Sequence, residues 1–149
     1  MGGTGERPRR VVLMVDDDEE DVYVTRRAFD AHGRVDAFLH VDSGDALFDY
    51  LDNAGAYADR ERYPRPQLIL MDINMPRENG FSLLRRLRES SAHALIPVVM
   101  LSTSTVGDDV DEAYRLGANS FIGKPASSGR MQEVARHIDA YWFETALLP

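Results

Sequence analysis

Six consecutive carboxylates, Asp16 to Asp21, follow the apolar run VVLMV without a break. Like charges repel most strongly where the dielectric is low, as at the end of a buried strand. The run therefore needs a cation among its members, or it is a solvated helix start. Three further apolar runs end on groups of chemical use: LILM on Asp72, VVMLS on Ser102 and Thr103, and SFIG on Lys124-Pro125. Brought together, Asp16, Asp17 and Asp72 would supply hard oxygen ligands of the kind that suit an octahedral magnesium ion. Asp18 to Asp21 would then occupy the first turn of the next helix, where the macrodipole favours negative charge. Taken singly, each residue also fits a plainer role. An Asp after a strand is often a cap or turn residue, a strand-terminal Ser a satisfied hydroxyl, and a Lys before Pro a solvated loop.

The elements that must hold these groups can be read from periodicity. VVLMV (11–15), LILM (68–71) and VVMLS (98–102) are short, near-continuous apolar runs, as a sheet covered on both faces requires. VDAFLHV alternates Val35, Ala37, Leu39 and Val41 at period two, and SFIG supplies a fifth short strand. Helical spacing follows each strand: Val22, Ala28 and Phe29 before Gly33; Ala46, Leu47, Tyr50 and Leu51 after the cap Ser43; FSLLRRLRES after Asn79-Gly80; DDVDEAYRLG stopping at Gly117; and Met131, Val134, Ile138, Tyr141 and Trp142. Five strand–helix alternations predict an α/β fold, a doubly wound parallel sheet whose site lies outside the carboxyl ends of the strands. Ala54 to Pro66 is a polar loop of unusual length for such a domain.

Charge and composition narrow the function. The net charge of -8 makes nucleic acid and anionic membrane poor partners. With no cysteine there is no disulfide, thiol nucleophile or Cys-ligated zinc. MGGTGERPRR lacks an apolar signal core, and no run reaches membrane-spanning length, which agrees with a cytoplasmic address. His32, His40, His93 and His137 have no ligand spacing and read as structural or surface residues.

VDDD, LMDINMPRENG, PVVMLSTS and GANSFIGKP, in that order, resemble the response-regulator receiver domain of two-component signalling from about Val11 to Trp142. The resemblance implies a CheY-like, flavodoxin-like (βα)5 sheet of strand order 2-1-3-4-5. It implies a tail over 1–10, a receiver over 11–143 and a C-terminal arm over 144–149. Asp72 would accept a phosphoryl group from a sensor histidine kinase. Asp16, Asp17, Asp72 and the backbone carbonyl of Asn74 would bind Mg2+, with Mn2+ able to take its place. Ser102 and Lys124 would contact phosphoryl oxygens, and Phe121 would hold the aromatic switch position, lacking the hydroxyl of a Tyr. Thr103, Ser104 and Asn74 occupy positions that tune water access to the acyl phosphate.

The chain ends just after its fifth helix, so the signal is expected to leave through a protein surface, to a downstream target or a phosphotransfer protein. The long loop and the ending AYWFETALLP are similar to receivers that pair with bacterial phytochrome kinases. They imply a homodimer through the α4-β5-α5 face and the C-terminal arm. Two rivals stand beside this reading. A haloacid-dehalogenase-like phosphohydrolase would want a second Asp where Asn74 stands, and a pseudo-receiver would have lost an acid, the hydroxyl or the lysine.

Overall fold

The computed structural model describes residues 8–103 and 106–149, so the first seven residues of the expected tail and Ser104 lie outside the described residues. Five strands, β1 (Val11–Val15), β2 (Ala37–Val41), β3 (Leu68–Met71), β4 (Val98–Ser102) and β5 (Ser120–Gly123), alternate with five helices. These are α1 (Glu19–Asp30), α2 (Gly44–Leu51), α3 (Gly80–Glu89), α4 (Gly107–Arg115) and α5 (Ser128–Ile138). All pairings are parallel, in the order β2-β1-β3-β4-β5.

Period-two alternation sorts each central strand between two cores. Leu13, Val15, Ile69, Met71, Val98 and Met100 face α2, α3 and α4, whereas Val12, Met14, Leu68, Leu70, Val99 and Leu101 face α1 and α5. β1, β3 and β4 are buried at every position, which explains their near-continuous apolar sequence. β2 and β5 lie at the edges and are mostly half-buried. The alternation expected from Val35 breaks before β2: Val35 packs on the α1/α5 side, and Leu39 and Val41 on the other.

α1, α2, α3 and α5 start on side-chain caps, each satisfying an orphan N–H, whereas α4 starts at Val106 without one. Asp18 accepts from Glu20 and Asp21, Ser43 from Ala46, Asn79 from Ser82 and Ser127 from Arg130. Gly33 (φ 62°) and Gly117 (φ 103°) take the left-handed conformation after their helices.

The long loop is held by an aromatic triad. The Tyr50, Tyr57 and Tyr63 rings pack with centroids 5.0 to 5.8 Å apart, and Tyr50 Oη donates to the Pro64 carbonyl at 2.7 Å. Arg60 donates to the Leu51 carbonyl at 3.2 Å, tying the loop back to α2.

At the other end of the chain, α5 runs into a π-helical turn, Asp139–Phe143. The wider turn changes the register. Met131, Ala135 and Ile138 face inward as the helical spacing requires, but Tyr141, expected on that side, is exposed and Asp139 is buried instead. The arm then folds back, with Ala146 N–H donating to the Tyr141 carbonyl at 2.7 Å and Arg34 pairing with Glu144. Its Leu148 and Pro149 share a groove with Pro8, Arg10 and Trp142 of the same chain.

Candidate functional site at the strand ends

Strand register assembles the site. Val15 pairs with Met71, so the next residues, Asp16 and Asp72, emerge side by side from the two central strands. Ser102 pairs with Gly123, so Lys124 leaves β5 beside the end of β4, and its N–H donates to the Ser102 carbonyl at 2.7 Å. Asp16, Asp72 and Ser102 are buried, Asp17 is exposed, and the carboxylate oxygens of Asp16, Asp17 and Asp72 lie within 4.8 Å of one another. The sequence expectation of one converging rim is met for these residues.

Lys124 supplies the positive charge the acidic run requires. Its Nζ lies 2.9 Å from Asp16 Oδ2, 2.7 Å from Asp21 Oδ2 and 3.3 Å from Asp72 Oδ1. Burial alone would lower the ammonium pKa. The hydrogen bonds to Asp21 and Asp16 and the field of Asp16 and Asp72 reverse that effect and hold it above the usual lysine range. Asp72 shows the opposite balance. Burial pushes its carboxyl up, Lys124 pulls it down, Asp16 pushes it up again, and the Asn74 backbone N–H favours the anion; the net direction is upward. Three acids and one lysine are thus incompletely neutralised, and an all-oxygen donor set of this kind fits a divalent hard cation.

The flanking residues are fixed in detail. Asp16 Oδ1 accepts from the Asp18 N–H at 2.9 Å, which orients one oxygen and leaves the other to Lys124. Asn74 and Thr103 are exposed beside the rim. Phe121 is half-buried in β5, in register with Met100 and packed on the α2/α3/α4 core.

Two residues join the site without having been expected there. Asp21, taken as a first-turn helix charge, reaches across to Lys124. His40, taken as structural or surface, uses Nε2 to contact the Asp16 carbonyl oxygen at 2.7 Å, so that nitrogen carries the proton. Its position in register with Met14 of β1 was the available signal. His93 is structural but not at the surface. It is buried, with Nε2 2.7 Å from Asp52 Oδ1 and Nδ1 3.3 Å from an Arg65 nitrogen. Arg65 can only donate, so Nδ1 is the acceptor and the ring is neutral with its proton on Nε2.

Fold and rim together define a doubly wound α/β protein with an acidic, lysine-bridged site at the carboxyl ends of its strands. Residues 12–136 match the response regulator receiver domain. The chain is 30% identical over 142 residues to "Response regulator Rcp1" of Synechocystis, covering 95% of each chain. Among solved structures, the phosphorylated cyanobacterial phytochrome response regulator RcpA superposes with a TM-score of 0.84 at 31% identity, covering 95% of this chain and 99% of that one. Response regulator RPA3017 of R. palustris, described in red light signaling, gives 0.86 at 33% identity, covering 94% and 98%. The Mn2+-bound form of Rcp1 gives 0.80 at 31% identity, covering 94% and 99%. The chain belongs to the response regulator receiver domain family. It is a two-component signalling protein related to the phytochrome response regulators Rcp1 and RcpA. The expected fold and family are borne out. Among the described residues no helix is long and apolar enough to cross a membrane.

Proposed function

We propose that Asp72 is the phosphoacceptor of a cytoplasmic response regulator, taking its phosphoryl group from the histidine of a bacterial phytochrome-type sensor kinase. The observation that carries this reading is the single ammonium of Lys124 set between Asp16 and Asp72, with Asp17 alongside. An Asp72 oxygen attacks the phosphorus, the P–N bond to the kinase histidine breaks, and an acyl phosphate forms. Asp16, Asp17, Asp72 and the Asn74 carbonyl would hold Mg2+ or Mn2+, which when bound offsets charge on the phosphoryl oxygens. Lys124 neutralises a further oxygen, and the Ser102 hydroxyl donates to another with Thr103 beside it. Positioning and electrostatics supply most of the assistance such a transfer needs, and the same groups admit water for dephosphorylation.

The acyl phosphate adds roughly one to two negative charges. Ser102 moving toward it vacates space that the Phe121 ring can enter from its half-buried site. That carries the signal to the α4-β5-α5 face, where a second copy, a downstream target or a phosphotransfer protein would read it, the homodimer also engaging the 144–149 arm. The phytochrome context rests on the light-signalling relatives named above.

Intact mass after incubation with acetyl phosphate tests the assignment. A phosphoryl-sized gain that requires both Mg2+ and Asp72, and is lost in Asp72→Asn, is expected. A gain that persists in the variant removes Asp72 from the role. No gain, followed by no transfer from a phosphorylated kinase, makes the chain a pseudo-receiver. A second expectation concerns stability. Millimolar Mg2+ should raise the melting temperature by several degrees, because a ligand of the folded state alone adds RT ln(1 + [L]/Kd). Asp72→Asn should raise the metal-free melting temperature by relieving repulsion and should shrink the Mg2+ increment. An unchanged melting curve on adding Mg2+ would count against the metal ligands.

A further inference from the structure

We propose that Asp21 is a positioning residue for Lys124, and that its task is to keep the ammonium at the rim when a cation occupies the acidic cluster. The inference rests on the reading of Asp16, Asp17 and Asp72 as the cation site. An ammonium has three donors, and those of Lys124 face three carboxylates, Asp21 at 2.7 Å, Asp16 at 2.9 Å and Asp72 at 3.3 Å. Two of these acids belong to the cluster whose oxygens lie within 4.8 Å of one another. A divalent ion there would claim the same oxygens and repel the ammonium. Asp21 is the one partner of Lys124 in this trio that stands outside the cluster.

The local backbone holds Asp21 in place for this. Its N–H donates to the Asp18 cap at 3.3 Å, and its carbonyl accepts from Thr25 Oγ1 at 2.7 Å. The Lys124 side chain is 10% exposed and that of Asp21 38%, so the pair sits at the boundary between protein and solvent. With Asp21 present, Lys124 can give up Asp16 to the ion without leaving Asp72. Without Asp21, the ammonium falls back on Asp16 and Asp72 and competes with the ion. A plain helix-start charge would also be stabilising at this position, but its effect would not depend on Lys124.

A double-mutant cycle separates the two roles. Mg2+ affinity is measured calorimetrically on the full chain for the wild type, Asp21→Asn, Lys124→Ala and the double variant. Asp21→Asn should weaken Mg2+ binding about fivefold when Lys124 is present and less than about twofold when it is absent. Equal weakening in both backgrounds would show only the loss of a nearby negative charge and overturn the proposal, as would no weakening in either. If the wild type bound no Mg2+, or bound it unchanged in Asp17→Asn, the cation-site reading itself would fall and take this one with it. That outcome is distinct from a bound ion without coupling.

Discussion

Gly80→Ala should cost about 3 kcal/mol of stability, the upper end for forcing extra volume into a packed site, and should slow phosphoryl uptake by at least about tenfold. Gly80 opens α3 directly behind the proposed phosphoacceptor, and its N–H donates to the Ile73 carbonyl at 2.9 Å. A methyl group there would overlap the Asp72 carbonyl oxygen and lie 3.0 Å from both the Asp72 carbonyl carbon and the Ile73 Cα. These are backbone atoms at the end of a central strand, so no side chain can swing aside. Either α3 shifts outward or Asp72 shifts toward Asp16, and both disturb the rim. For a chain of this length the loss corresponds to a fall of roughly 10 °C in melting temperature. Gly129→Ala is the control: a methyl group in that helical position meets nothing within 4 Å, so a gain of about 0.5 kcal/mol is expected. Thermal unfolding and intact mass after acetyl phosphate measure the two effects. A Gly80→Ala chain that melts and phosphorylates like the wild type would show that the β3–α3 junction is slack.

Why the fold was legible is visible in β1, β3 and β4. Each is four or five residues long and buried at every position, so its sequence has no polar face to confuse with a helix. In a parallel sheet all strands point the same way, so the residue after each apolar run lands on the same rim. Asp16, Asp72, Ser102 and Lys124 could therefore be grouped without any knowledge of their distances. The edge strands were less well marked. β2 begins at Ala37 rather than Val35, because only a half-buried strand can afford the break at Asp36.

What the sequence hid were contacts made across the sheet by residues with ordinary local roles. Asp21 reads as a first-turn helix charge and is one, yet its side chain also spans 103 positions of sequence to Lys124. His40 stands between apolar neighbours in an edge strand, and only its register against β1 brings Nε2 to the Asp16 carbonyl. The Ala54–Pro66 loop is polar on average. Its order comes from Tyr57 and Tyr63, which pack on Tyr50 of the preceding helix, and tyrosines so placed carry no periodic signal. The π-helical turn was hidden for a related reason. It preserves the run of apolar residues while rotating them, so Tyr141 turns outward and an acid turns in.

That acid, Asp139, should make the chain less stable as the solution becomes more basic. It is fully buried, and neither carboxylate oxygen has a hydrogen-bond partner among the described residues. Burial pushes its carboxyl up to about 6, although His32 beyond the end of α1, Arg34 in the following loop and Arg10 before β1 all pull the other way. In the unfolded chain an Asp titrates near 4. Between these two values the folded state binds more protons than the unfolded state, so stability falls with rising pH. The contribution is fully present below about pH 4 and gone above about pH 6, a loss on the order of 2–3 kcal/mol at 1.36 kcal/mol per pH unit. Asp139→Asn keeps the shape and cannot ionise. It should therefore match the wild type near pH 4 and exceed it by about 2 kcal/mol at pH 8. Denaturant unfolding of the two chains at both pH values reads the difference directly, because the other titrating groups cancel in the comparison. Curves that ran parallel across that range would mean Asp139 keeps its ordinary acidity in the folded chain, with its charge met by water or by Arg34 or Arg10.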